Sequence, residues 1–226
     1  MVSGIEWKHI FDLPLAIDSL PYILQGIGYT ILISFGGMVC GLVLGFVLAL
    51  GRGSKRIIFR WPARLFISYM RGTPMLVFLF LLYFGLPNIG IQFSAVIAAL
   101  IGFSLHSSAY MAEIIRSALN SVDKGQWEAA TALGLSNWQT MFSVIMPQAT
   151  RIAIPPLSNV LLDLIKASSL AAMITVPDLF HHAKVVGGRE FDYMTVYIVV
   201  GLIYWAICLV VEVWQNYLEK RFAYIK

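Results

Sequence analysis

Charged residues are scarce in this chain of 226 residues: Asp, Glu, Lys and Arg make up 12% of it, whereas apolar residues make up 59%. An average soluble domain carries about 25% charged residues, so roughly half of the usual polar coat is missing. A soluble domain of this size could not cover its surface with so few charges. The composition therefore excludes an ordinary soluble globular protein and favours a chain that lies in lipid.

Cysteine and nucleotide-binding motifs are also lacking. Only Cys40 and Cys208 occur, both inside apolar runs, so we predict no disulfide framework and no metal site, and we expect both to be small core residues. No phosphate-binding loop with glycine, four residues, glycine, lysine and serine or threonine is present, so the chain cannot by itself use ATP in that way. No nucleophile–base pair or paired-carboxylate site indicates catalysis. We predict no catalytic residue, no metal and no bound cofactor.

Long stretches without any charge are present instead. The stretches 19–51, 72–112 and 193–211 contain no Asp, Glu, Lys or Arg, and a helix needs about 20 apolar residues to cross the hydrocarbon core. The middle stretch is long enough for two crossings, with Pro87 and Gly90 as a natural break. We predict an all-α membrane protein with five spans, at about 24–50, 65–86, 93–115, 154–175 and 195–213. The first is rich in glycine, which lets helices approach closely in lipid.

The basic residues predict the orientation of these spans, because positive residues stay on the cytoplasmic side. Eleven lie on one side of the predicted spans and three on the other. We therefore predict an external N-terminus, a cytoplasmic C-terminus and a topological role for the net charge of +4 rather than nucleic-acid binding. The predicted segments are an extracytoplasmic 1–23, a transmembrane domain 24–215 and a cytoplasmic tail 216–226. The eleven are Arg52, Lys55, Arg56, Arg60, Arg64, Arg116, Lys124, Arg151, Lys220, Arg221 and Lys226; the three are Lys8, Lys184 and Arg189.

The segment 121–147, SVDKGQWEAATALGLSNWQTMFSVIMP, is too polar to lie in lipid. Asp123 with Gln126, and Ser136 with Gln139, have the spacing of capping boxes, and Gly134 suits a left-handed helix end. We predict two short helices joined by a glycine corner. The first can dock in a groove of another protein through a carboxylate, small residues and a tryptophan; an interfacial helix on lipid headgroups is the alternative. The candidate docking residues are Gly125, Trp127, Glu128, Ala129, Ala130, Gly134 and Pro147.

Several stretches carry a family resemblance. EAA at 128–130, followed after three residues by Gly134 and closed by Pro147, resembles the EAA loop of permease subunits of ATP-binding-cassette importers. RGTP at 71–74 with LLYFGLP, SSAYMAEIIRSAL with KGQWEAA, and LSNVLLDLIKASSL at 157–170 resemble polar-amino-acid permeases of the histidine, glutamine and cystine type. The resemblance runs from about residue 24 to the end of the fifth span.

The resemblance implies a fold, a function and partners. It implies the five-helix core of type I importers, in which the EAA segment is the coupling helix, and a bacterial inner-membrane location. The function implied is import of a polar or charged amino acid, such as cystine, by alternating access. The partners implied are ATPase subunits that use ATP and Mg²⁺, an extracytoplasmic solute-binding protein and a second permease chain. The alternative from the residues alone is an ion-coupled transporter or channel subunit that works without ATP.

Charged residues also occur within the predicted spans, where each costs about 2.5–3.5 kcal/mol at a helix centre on insertion scales. Asp163 and Lys166 lie on one helix face at a spacing of three residues. They either neutralise each other or line the passage of a zwitterionic substrate. Glu113 and Arg116 have the same spacing near a span end, and we expect a structural pair. The candidate substrate-pathway residues are Asn159, Asp163, Lys166, Ser168 and Ser169.

Overall fold

The computed structural model describes residues 10–222, and every regular element in that part of the chain is helical. Four long helices could cross a membrane: α2 (Ile27–Gly53), α5 (Ala95–Asn120), the continuous helix Asn137–Ile174, and α10 (Tyr193–Phe222). A fifth crossing requires that two helices bent by 105°, α3 (Ile57–Gly72) and Met75–Ile89, count as one span. The other α-helical elements are α1 (Leu13–Leu24), α4 (Met75–Phe80), α6 (Lys124–Ala132), α7 (Asn137–Gln139), α8 (Met146–Ala167) and α9 (Leu179–Glu190).

The helices run between two ends of the bundle. One end, here the α6 end, holds α6 with the last turns of α2 and α5; the other, the α9 end, holds α9, α1 and the first turns of α2 and α10. Residues 1–9 and 223–226 are outside the described part of the chain. They include the basic residues Lys8 and Lys226 and parts of the predicted terminal segments 1–23 and 216–226.

The predicted second span, 65–86, is bent in the structure at Pro74. Proline has no N–H and disfavours the helical conformation in the residue before it. Thr73 is accordingly extended, with φ −104° and ψ 132°, and the chain turns by 105° between α3 and α4. The predicted break after this span is present, because Gly90 takes a left-handed φ of +84°.

Helices α2 and α5 form the centre of the bundle through close contact of small residues. A Cβ atom on Gly41 would lie 2.1 Å from Ser107 Oγ, and one on Gly45 would lie 2.9 Å from Met111 Cβ. Ser107 Oγ donates a hydrogen bond of 3.1 Å to the Gly37 carbonyl across this contact. The predicted use of glycine for close helix approach therefore describes how these two helices pack.

The predicted second short helix of segment 121–147 is the beginning of the fourth span. Residues Thr140–Ile145 form a wider π-helical turn, and Pro147 then lies in the first turn of α8. Pro147 lacks the N–H that a helix interior needs, and a π-turn is a common place for such an interruption. The helix continues to Ile174, so the helix that contains most of the predicted fourth span, 154–175, begins at Asn137.

The α9 end holds two helices that the sequence analysis did not predict, α1 and α9. Helix α9 begins where Asp178 Oδ1 accepts a hydrogen bond of 2.8 Å from the His181 N–H. Asp178 is fully buried and its Oδ2 accepts from the Tyr204 hydroxyl at 3.3 Å. Burial raises the pKa of the Asp178 carboxyl from 3.8 to about 7, against the opposing effect of these hydrogen bonds.

The cysteine expectation is wrong in part. Cys40 is exposed on α2 and Cys208 is half-buried on α10, so neither is a core residue. Both lie on helices that are apolar around most of their circumference, where a small thiol is tolerated on a lipid-facing side.

Candidate functional site

A small cavity of about 280 Å³ lies between α4, α5 and α8, and four of its eight lining residues carry polar side chains. In this cavity, Asp163 of the fourth span lies near the polar side chains of His106, Ser107 and Tyr110 of the third span. The residues that line it are Met75, His106, Ser107, Tyr110, Val160, Asp163, Leu164 and Ala167.

The bend in the second span lies beside this small cavity, because Met75 and His106 line the cavity and His106 contacts Thr73. The Thr73 carbonyl has no partner in its own helix beyond the bend, and His106 Nε2 lies 3.3 Å from its oxygen. The His106 ring also packs against Tyr110, with 5.4 Å between the ring centroids. The extended peptide at Thr73 is therefore held from α5.

A second cavity, of about 640 Å³, adjoins the first and is strongly basic, so we call it the arginine cavity. Tyr110 lines both cavities, and the Arg71 guanidinium carbon lies 5.6 Å from the Tyr110 ring centroid, which is a cation–π distance. Within residues 10–222, neither Arg64 nor Arg71 has an ion-pair partner. The residues that line it are Arg52, Arg64, Ile67, Ser68, Arg71, Gly72 and Tyr110.

The five predicted pathway residues lie in different surroundings, and only one of them lines the small cavity. Asp163 Oδ1 and Lys166 Nζ form an ion pair of 2.9 Å, with side chains 74% and 61% exposed, but only Asp163 lines the small cavity. Ser168 is fully buried and donates to the Ile165 carbonyl. Asn159 accepts from the Gln215 amide at 3.2 Å, and Ser169 donates to the Lys166 carbonyl at 2.8 Å.

The expected pair of Glu113 and Arg116 is present and has a third member. Arg116 Nη2 lies 3.1 Å from Glu113 Oε2, and Arg52 Nη1 from the end of α2 lies 2.8 Å from Glu113 Oε1. The carboxylate thus joins the last turn of α2 to α5. Sequence spacing could show the first partner, on the same helix, but not the second.

Helix α6 is defined by its caps. Asp123 Oδ1 accepts from the Gly125 N–H, at 2.6 Å, while the Gln126 side chain accepts from the Gln148 amide at 3.0 Å instead of completing a capping box. The predicted capping box at Ser136 and Gln139 is complete. Gly134 takes the left-handed φ of +75° that the glycine corner requires.

The two faces of α6 have different roles. Ala130 is 3% exposed. Trp127 packs against a cluster that includes Ala118 of α5 and Ile145 at the start of the fourth span, so this side of α6 holds the helix in place. Glu128 and Ala129 are exposed on the other face, as are Gly125, Gly134 and Pro147. Glu128 has no ion-pair partner among the described residues.

Two apolar side chains on this surface were not among the predicted docking residues. Leu133 is 80% exposed and Trp138 is 71% exposed, and Trp138 packs on Phe142 with 4.3 Å between ring centroids. Large apolar residues at that exposure, beside an unpaired carboxylate, are typical of a protein contact. We call this surface, formed by Gly125, Glu128, Ala129, Leu133, Gly134 and Trp138, the α6 surface. The position of Leu133 and Trp138 on either side of the glycine corner at Gly134 was the available signal in the sequence.

A bundle of membrane-crossing helices with polar cavities inside and a capped, exposed helix at one end defines the membrane subunit of a transport complex. Residues 41–224 match the family described as the binding-protein-dependent transport system inner membrane component, and the chain belongs to that family.

Relatives and solved structures agree with this membership. The chain is 65% identical to the "Probable amino-acid ABC transporter permease protein YckA" of Bacillus subtilis (strain 168), over 99% of both chains. It is 41% identical to the "L-cystine transport system permease protein TcyB" of the same organism, over 89% of this chain and 86% of that one. A chain in the "Crystal structure of an amino acid ABC transporter with histidines" superposes with a TM-score of 0.88 and 32% identity, covering 93% of this chain and 98% of that chain.

Membership of this family establishes the general function of the chain. The chain is a permease subunit of a bacterial amino-acid ABC importer, a multi-pass inner-membrane protein that is not itself an ATPase. It implies ATPase partners, and it sets aside the alternative of an ion-coupled transporter or channel that works without ATP.

Proposed function

We propose that this chain and a second permease chain form the path by which a polar or charged amino acid enters the cell by alternating access. ATPase subunits dock on the α6 surface and drive the change, and a solute-binding protein delivers substrate at the α9 end. The observation that carries the docking role is the separation of faces on α6: Ala130 is buried while Glu128 is exposed and unpaired within the described residues.

The orientation of the chain is part of the proposal. The excess of basic residues at the α6 end supports a cytoplasmic α6 surface, an external N-terminus and a cytoplasmic C-terminus. Residues 1–23 are then extracytoplasmic, 24–215 form the transmembrane domain and 216–226 form a cytoplasmic tail. A reporter fused after Lys226 should be active in the cytoplasm, and an external signal would overturn the orientation.

The cavities support a path for a zwitterion. Asp163 in the small cavity can attract the substrate ammonium group, and Arg71 in the arginine cavity can attract its carboxylate, with Tyr110 between them. Lys166, Asn159 and Ser169 lie near Asp163 along the helix, whereas the burial of Ser168 assigns it to packing. Cystine is the first substrate to test, because a relative with 41% identity is an L-cystine transport system permease protein.

The experiment is uptake into proteoliposomes that hold the whole importer: the permease with its ATPase, and binding protein added outside. We expect ATP inside the vesicles to drive accumulation of labelled cystine. Glutamine, histidine and arginine are tested as competitors under the same conditions. Accumulation of another amino acid but not cystine would overturn the choice of substrate, and accumulation without ATP would overturn the docking role.

A further inference from the structure

An apolar groove of about 450 Å³ runs along the outside of the bundle between α2, α5 and the beginning of the fourth span. Thr150 is the single polar residue among those that line it. Val43 and Val47 of α2, which line it, are 63% and 61% exposed and belong to the charge-free stretch 19–51. The groove therefore lies at the depth of the hydrocarbon core.

A basic pocket of about 530 Å³ continues this groove toward the α6 end. Leu119 lines both the groove and the pocket, so the two are contiguous. The pocket is lined by two cations, Arg116 from the last turns of α5 and Lys124 from the first turn of α6, and no carboxylate lines either space. Trp127 also lines the pocket, and tryptophan favours the level of the lipid headgroups.

The groove is separate from the cavities described above. Helices turn by about 100° per residue, so Leu119 lies on the side of α5 opposite to Tyr110. On α5, the side that lines the groove and pocket at Leu119 is therefore opposite to the side that lines the two cavities at Tyr110.

We propose that the groove and the basic pocket together bind one anionic phospholipid. An acyl chain lies in the apolar groove, and the phosphate lies between Arg116 and Lys124. The apolar groove ends in a pocket lined by two cations, so a ligand that fills both must have a long apolar part with an anionic group at one end. Basic pockets between helices at the membrane surface are suited to anionic headgroups.

Both cations have donors for a phosphate. Arg116 directs Nε and Nη2 at Glu113 Oε2, at 3.4 and 3.1 Å, and a guanidinium has further N–H donors. Lys124 is exposed and has no ion-pair partner within the described residues. Since Arg116 belongs to α5 and Lys124 to α6, the bound lipid would join the coupling helix to the third span.

The test measures lipid retention by the purified importer complex. The complex is stripped of lipid in detergent, incubated with phosphatidylglycerol or phosphatidylcholine of the same acyl chains, repurified and analysed by mass spectrometry. We expect phosphatidylglycerol to be retained in preference to phosphatidylcholine, and glycerol phosphate alone not to displace it. Lys124→Gln should lower retention about fivefold, because one cation near a membrane surface contributes about that factor.

Two further variants make the result specific. Leu119→Trp, which fills the junction of groove and pocket, should lower retention of phosphatidylglycerol while the complex stays assembled. Lys184→Gln, a basic residue at the α9 end, should leave retention unchanged. Equal retention of both lipids, or unchanged retention in Lys124→Gln and Leu119→Trp, would overturn the proposal. Loss of the second permease chain in Leu119→Trp would show instead that a second copy covers the groove.

Discussion

The α6 surface and the small cavity are built in opposite ways. Around α6, the side-chain caps join residues two or three positions apart, as in Asp123 with Gly125 and Ser136 with Gln139. The small cavity takes Met75, His106 and Asp163 from three helices, and the contact that shapes it joins Thr73 to His106, 33 positions apart. The exposed face of α6 is shaped mainly by local caps, although its buried face packs on the bundle, whereas the small cavity is formed only where three helices meet.

This difference predicts how each region responds to substitution. A change on the exposed face of α6 removes a contact with a partner and leaves the fold intact. A change in the small cavity alters the path but leaves the partner bound. Measuring uptake together with ATPase retention separates the two, and the predictions below use that pair of measurements, from the largest expected effect on uptake to the smallest.

Glu128→Lys should have the largest effect. Reversing a charge that meets a partner costs about 2–5 kcal/mol when the pair is buried, so we expect uptake to fall by roughly thirtyfold or more. ATPase retained on the purified permease should fall with it. The matched control is Glu190→Lys on α9, which also reverses an exposed acid but lies at the other end. Normal ATPase retention in Glu128→Lys would place the docking surface elsewhere.

Asp163→Asn should lower uptake by about tenfold to a hundredfold, because a hydrogen bond to a charged group contributes about 1.5–3 kcal/mol. ATPase retention should stay at the wild-type level, in contrast to Glu128→Lys. The side chain is 74% exposed, so insertion and folding should be unaffected. Asp163→Glu tests whether the carboxylate itself is needed. Unchanged uptake in Asp163→Asn would remove this residue from the path.

Gly134→Val should have a smaller effect that follows the pattern of the α6 surface. A left-handed backbone costs a residue with a side chain about 1–2 kcal/mol, so the helix end should loosen and uptake should fall by up to about tenfold. Gly53→Val is the control, since this glycine has a negative φ and open space around its Cβ position. An equal loss in both variants would show that the left-handed corner is not the cause.

Asp178→Asn should leave uptake near the wild-type level and change only the pH dependence of stability. The folded state raises the pKa of this carboxyl from 3.8 to about 7, so the folded protein holds the proton more tightly. Its contribution to stability is complete below about pH 4 and is lost as the pH rises to about 7. The wild type should therefore melt at lower temperature at pH 8 than at pH 5.

The variant should lack that component of the pH dependence, because an amide does not titrate. Asp192→Asn is the control. Hydrogen bonds from Thr195 lower the pKa of Asp192, so this variant should change the pH dependence of stability only below about pH 4. Thermal melting of the detergent-solubilised complex at several pH values provides the measurement. An identical decline between pH 5 and pH 8 in the wild type and Asp178→Asn would contradict the buried-acid interpretation.

Local chemistry explains which parts of this structure could be predicted. The left-handed Gly134, the second capping box and the close contact at Gly41 follow from neighbouring residues or from the size of one side chain. The bend at Thr73 was indicated by Pro74, but its angle of 105° depends on how α5 holds the freed carbonyl. Helix α9 was not predicted, because Asp178, its cap, gives no sign in sequence of being buried against Tyr204.

Tertiary packing determined the rest. Arg71 lies on α3, whereas His106 and Tyr110 lie on α5. No spacing along the chain shows that these two helices line adjoining cavities. Ser168 lies five residues after Asp163, and no spacing along the chain shows that its side chain is buried in the bundle. Helical periodicity places a residue on a side of its own helix, and only the neighbours decide what that side faces.

The interrupted second crossing has a mechanical consequence. Each of its two helical segments is too short to cross the bilayer. Helix α3 packs on α2 and α5, whereas α4 packs on α5 and the segment Ser168–Ile174. Because Thr73 and Pro74 at the break belong to neither helix, α3 and α4 are separate rigid segments. An unbroken helix at this position would fix the tilt of both segments together.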